Sequence, residues 1–215
     1  LGCCDNTGSP TAKATDVPTV SPSVSGAPTA SPTTTAPLFP ESALIKAEDG
    51  TKISNWIVEG DPSHDPNQVW QQCFHKPVDS SGYIPTFHAQ CDGKGPTVVV
   101  AKLSTGKLVG GYAGVSWGSE ENGRYVTSPT SFLFSLTNGH RHGLIDGREK
   151  WALYSHPNYG PTFGNAMDWR IGNPLEMHDG SCRPGSVYAC RIGTYGSAPP
   201  DNECHNDFCG VGYNS

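Results

Sequence analysis

The chain has 215 residues, 20 Asp and Glu against 14 Lys and Arg, and a formal net charge of −6. That length holds one folded unit with an appendage, and the lack of a basic cluster argues against nucleic acid and anionic membrane surfaces as partners. The longest apolar run, residues 98–101, is too short to span a bilayer.

Residues 1–6 form a tip that carries the adjacent pair Cys3 and Cys4. Neighbouring Cα atoms across a trans peptide lie about 3.8 Å apart, closer than a disulfide prefers. Each cysteine is therefore expected to find a separate partner, with an inter-subunit disulfide as the candidate bond. The chain starts at Leu1 without a methionine, which predicts that a signal peptide has been removed. An even count of eight cysteines, clustered toward both ends, also predicts a secreted protein with every thiol oxidised.

Residues 7–40 are built from Pro, Thr and Ser, so neither a helix nor a central strand is expected. This composition fits a linker or, more sharply, an O-glycosylated polyproline-II stalk similar to segments of hydroxyproline-rich wall glycoproteins. The candidate sugar acceptors are Ser9, Thr11, Thr15, Thr19, Ser21, Ser23, Ser25, Thr29, Ser31, Thr33, Thr34 and Thr35. Candidate hydroxyprolines are Pro10, Pro18, Pro22, Pro28, Pro32 and Pro37. N-x-S/T sequons are absent, so any glycan is O-linked.

Residues 41–215 read as the folded domain. Ile53, Trp56 and Ile57 have helical spacing after Asp49-Gly50-Thr51, which predicts a short helix capped there. Residues 60–67 read as a loop and 69–74 (VWQQCF) as a strand. Residues 97–103 and 107–117 are apolar runs joined by Ser104-Thr105-Gly106, a link that closes only an antiparallel hairpin. In the second run Val109, Ala113, Val115 and Trp117 share one face, and Leu108, Gly110, Tyr112 and Ser116 the other. Gly110-Gly111 in mid-strand predicts a bulge or a close backbone approach. Residues 131–137 (SFLFSLT) read as a core strand, 138–150 as a polar loop, and 151–155 and 168–171 as further strands. Pairing the 69–74 strand with an extended segment ending at Cys91 places Cys73 beside Cys91. From Leu175 onward the pattern fades and cysteines replace it, with Cys182–Cys190 and Cys204–Cys209 as the local pairs.

The run FHAQCDGKGPTVVVAK…GKLVGGYAGVSW at 87–117, then SFLFSLT at 131–137 and YGPTFG at 159–164, resembles the TLDc domain over roughly residues 44–195. The resemblance implies a mainly β fold, a two-sheet antiparallel β-sandwich with a few short helices, here preceded by an extended polyproline-like arm. It implies no catalytic set and no cofactor. Better-known intracellular members are linked to oxidation resistance and to regulation of the vacuolar proton pump. The family pattern finishes with one more strand of alternating Glu, Val and Phe character. This chain ends at Gly212-Tyr213-Asn214-Ser215 without it, which predicts an open sheet edge.

Other chemistry is weak. His140-Arg141-His142 sits in the expected loop with no Cys or carboxylate partner, so solvated histidines are favoured over a metal pair. Cys182, Cys190, Cys204 and Cys209, with His178 and His205, lack zinc-knuckle spacing. There is no nucleophile elbow and no H-E-x-x-H, while Glu120-Glu121 reads as a solvated turn. Trp70, Trp117 and Trp169 would stack on sugar only if exposed. The resulting expectation is a non-enzymatic, extracellular structural subunit that assembles head to tail with itself through its arm, with a stalk-borne lectin-like module as the alternative.

Overall fold

The computed structural model of the chain describes residues 37–76, 82–165, 169–171 and 208, and, as backbone strands, residues 2–5 and 181–182. Two antiparallel sheets face each other. The larger runs β2-β1-β3-β4-β6-β7, with β1 at Gly2–Asp5, β2 at Gln71–His75, β3 at Thr97–Lys102, β4 at Leu108–Ala113, β6 at Phe132–Ser135 and β7 at His140–Gly143. The smaller runs β11-β10-β9-β8-β5, with β5 at Arg124–Val126, β8 at Leu153–Ser155, β9 at Thr162–Phe163, β10 at Trp169–Arg170 and β11 at Ser181–Cys182. Helix α1 spans Ala47–Gly60 and helix α2 spans Tyr83–Cys91. Among the described residues the fold is thus mainly β, with two antiparallel sheets and two short α-helices.

The predicted hairpin is β3–β4, in register from Thr97 opposite Ala113 to Lys102 opposite Leu108. Successive side chains point to opposite faces, and both faces are covered. Val99, Val109, Ala113 and Leu133 turn toward the smaller sheet, where Leu153, Phe163, Trp169 and Phe208 complete one core. Val98, Val100, Tyr112, Phe132 and Phe134 turn the other way, toward Ile53 and Ile57 of α1 and toward Leu38, Phe39 and Trp70. A strand buried on both sides has no polar face to alternate with, which is why 98–101 reads as an unbroken apolar run. The register of β4 runs on without a shift, so Gly110-Gly111 is a close approach rather than a bulge. A Cβ on Gly110 would collide with the Phe134 ring and the Val99 carbonyl, and one on Gly111 would meet the Phe163 ring.

Several elements depart from the sequence reading. Helix α1 starts at Ala47, ahead of Asp49-Gly50-Thr51, so Glu48 and Asp49 lie in its first turn, where carboxylates complement the helix dipole. Gly50 is inside the helix because Phe39 packs on it: a Cβ there would stand 3.1 Å from the ring. The segment expected to run extended into Cys91 is α2. Its Tyr83, Ile84, Phe87 and Cys91 are buried at helical spacing, and Pro85 falls in the first turn, where its missing N–H breaks no bond. Strand β2 begins at Gln71 rather than at Val69, and the expected polar loop 138–150 contains β7. The folded unit also reaches back into the stretch assigned to the stalk. Leu38 and Phe39 are buried, Phe39 stacks on Trp70 at 5.7 Å, and the Trp70 N–H donates to the Leu38 carbonyl at 2.8 Å.

Cys73 and Cys91 are disulfide-bonded, joining β2 to the last residue of α2 rather than two strands. The bond spans 18 residues, and a loop of that length is worth about 3 kcal/mol in the chain-entropy account. A Cys73→Ser, Cys91→Ala double variant is therefore expected to lose about that much unfolding free energy, read as a lower urea midpoint. An unchanged midpoint would show that β2 is held without the crosslink.

Candidate functional site, a strand slot between β2 and β3

The larger sheet is continuous only because β1 fills it. Gly2–Asp5 pairs with β2 from Gly2 opposite His75 to Asp5 opposite Gln71, and with β3 from Gly2 opposite Val100 to Asp5 opposite Thr97. The β2 register shifts between Cys3 and Cys4, which lie opposite Phe74 and Gln72, on either side of disulfide-bonded Cys73. Strands β2 and β3 do not pair with each other. Without β1 each would present an unpaired row of N–H and C=O groups across a gap one strand wide. The larger sheet thus has an internal slot that β1 occupies, while the expected absence of a last strand falls on residues outside those described.

The occupant is remote in sequence, since residues 6–37 separate β1 from Leu38. Its anchor points are close, because Asp5 lies opposite Gln71 while the neighbouring Trp70 bonds Leu38. Adding two cross-strand spacings and one Cα step puts Asp5 and Leu38 within about 15 Å of each other. Fully extended, the connecting residues would reach roughly 100 Å.

The stretches singled out for their motifs converge on a second place, the contact of α2 with the smaller sheet. His88 Nδ1 faces the Asp92 carboxylate at 2.9 and 3.0 Å, and its Nε2 faces the carbonyls of His156 at 3.1 Å and Tyr159 at 2.9 Å. The Tyr83 hydroxyl donates to the Ile171 carbonyl at 2.7 Å and stands where a Cβ on Gly160 would be. Trp117 Nε1–H donates to Thr97 Oγ1 at 2.7 Å in the buried core. These residues fasten the loop before β9 to α2 and α2 to the hairpin; their roles are in packing and backbone satisfaction.

A family model described as the TLDc domain matches residues 38–203. The chain belongs to the TLDc domain family. The match begins at Leu38, the first buried residue among those whose side chains are described. Comparison with curated proteins and with solved structures gives no match. In this TLDc protein β1 lies ahead of the matched region, so the strand that completes the larger sheet comes from outside it.

Trp70, Trp117 and Trp169 are 1, 4 and 2% exposed. They are core residues, not sugar platforms. His140 and His142 are not in a solvated loop but on edge strand β7, with His142 fully buried and its ring edge-on to Phe208 at 5.4 Å. Among the described residues no group of three or more His, Cys, Asp or Glu side chains is arranged to hold a metal, and no helix is long and apolar enough to cross a membrane. Glu120 pairs with Arg124 at 2.7 Å and Glu121 is exposed. The Cys190, Cys204 and Cys209 side chains, that of Cys182, the histidines at 178 and 205, and every sugar-acceptor candidate lie outside the described residues; of the candidate hydroxyprolines, Pro37 is described, and it is exposed.

Sequence reasoning missed a polar group beside the α1 core. Asp61 accepts from Ser63 Oγ at 2.6 Å, and these hydrogen bonds hold its carboxyl below the usual range. Burial pushes the His64 imidazole down, against the pull of Asp61 and Asp65. Burial, with the Asp61 carboxylate adding to it, pushes the Tyr112 phenol up to about 12. Folded Tyr112 keeps its proton above pH 10 while the unfolded chain loses it, so its contribution is complete below pH 10 and disappears as pH rises through about 12. Denaturant titrations should show a loss of about 2–3 kcal/mol over that window, and Tyr112→Phe should remove that part of the loss. Parallel curves for the two proteins would count against the assignment.

Proposed function

We propose that this TLDc protein is the structural subunit of an extracellular, glycosylated fibril, in which β1 of one copy enters the slot between β2 and β3 of the next. One observation supports the reading above the others: a four-residue strand lies in the middle of a sheet and is tethered to its domain only through residues 6–37. Backbone pairing on both sides gives such a strand affinity without requiring side-chain chemistry. Donor strand and acceptor slot are different surfaces, so the contact between copies is heterologous. It propagates into a filament unless the rotation closes a ring. The Pro/Thr/Ser-rich tract then bridges neighbours, and sugars on its hydroxyls stiffen and shield it. Cys3 and Cys4 travel with the donor strand and supply the crosslink between subunits. The role is structural rather than catalytic.

The test is a proline in the donor strand. Cys4→Pro removes a backbone donor where both edges are paired, so electron micrographs of the full chain should show filaments and those of the variant isolated particles. Circular dichroism of the variant checks that the domain keeps its sheets. Filaments of equal length in both samples would sink the strand-exchange reading.

A further inference from the structure

The geometry points to a capped form of the free subunit: we infer that an isolated copy closes the slot with its own β1, and that growth requires this strand to leave. The inference rests on the strand-exchange reading and concerns how the same slot is regulated. In a single chain, Gly2–Asp5 already pairs with β2 and β3 of its own domain. The bonds made within one copy and between copies are identical, so the partition depends on how often the strand is presented to each slot.

That frequency follows from the tether. The anchors lie within about 15 Å, while a flexible chain of this length has a root-mean-square span of about 30 Å. A tether whose span comfortably covers the gap presents its strand at an effective concentration on the order of millimolar. A second copy at about 10 µM competes on the order of 100-fold less well. The capped copy therefore prevails in dilute solution, and assembly waits on strand release. The prolines at 10, 18, 22, 28 and 32 and any sugar between them act against the cap. A stiffer tether turns back on itself less readily, which lowers the effective concentration at its own slot and leaves the neighbour's unaffected.

The measurement is amide hydrogen exchange on the full chain, with a specific protease sequence introduced beside Gly26 and with Cys3→Ser and Cys4→Ser so that no crosslink retains the strand. The readout is the set of β2 and β3 amides that face β1. Diluting the uncut chain from about 100 to about 1 µM should leave their protection unchanged, because the strand arrives from the same copy. Cutting the tether at the lower concentration should speed exchange there by up to about 1,000-fold. Protection that falls on dilution of the uncut chain would overturn the capped form and leave the filament reading standing. Protection that survives the cut would show that β1 is not what fills the slot, and would overturn it too. Cap signatures in a chain that never forms filaments would leave the capped form standing and remove the filament reading.

Discussion

Replacing Gly110 by alanine is expected to destabilise the domain by about 4 kcal/mol or more, close to the total stability of many domains of this size. Gly110 lies at the centre of β4, paired with Val100 on one side and Phe134 on the other. The added methyl would collide with the Phe134 ring and the Val99 carbonyl oxygen. A flexible side-chain end can turn away from such a contact; a carbonyl held in a sheet ladder cannot, and moving β3 would disturb cores on both of its faces. Gly106 in the hairpin turn is the control. Its φ is +85° and nothing stands within 4 Å of an added Cβ, so alanine there carries only the left-handed backbone cost of about 1 kcal/mol. Urea unfolding of the two variants should separate them widely. Similar midpoints would mean that the sheet has more slack at Gly110 than its contacts indicate.

Phe87→Ala should cost about 3–5 kcal/mol. Phe87 is fully buried, with its ring 6.0 Å from Phe74 and 6.1 Å from Trp117, between α2, β2 and the end of the hairpin. The void would also loosen what α2 holds: the His88 bonds to the loop before β9, the Tyr83 bond to Ile171, and the Cys91 end of the disulfide. Phe87→Leu keeps most of the volume and should cost about 1 kcal/mol. If leucine and alanine prove equally disruptive in calorimetry, ring shape rather than cavity volume decides the cost.

Much of the larger sheet is legible in the sequence, for a physical reason. Strands with a period of two that pack on both faces must be apolar throughout, and the alternation of Val109, Ala113, Val115 and Trp117 against Leu108 and Tyr112 divides them correctly between the two cores. Phe132, Phe134 and Leu136 fall on the α1 side together, as their spacing predicts. Cys73 and Cys91 are found paired, although one of them ends a helix that Pro85, in its first turn, disguises. Strand β7 is hidden because HRHG has no strand signature. His142 is buried there against Phe208, a residue 66 positions further along. The slot is the least legible feature. Four residues carry no periodicity, and a gap between two strands belongs to their spacing in three dimensions, not to either one's composition.

The place of β1 in the sheet also has a consequence in time. It leaves the ribosome well ahead of its partner β3, which follows roughly 95 residues later, about 5–20 s at ordinary rates of synthesis. During that interval a nascent chain carries a finished strand and no place to put it. Pairing so distant in sequence is slow to close even once both parts exist, so the rest of the domain must fold around an empty gap.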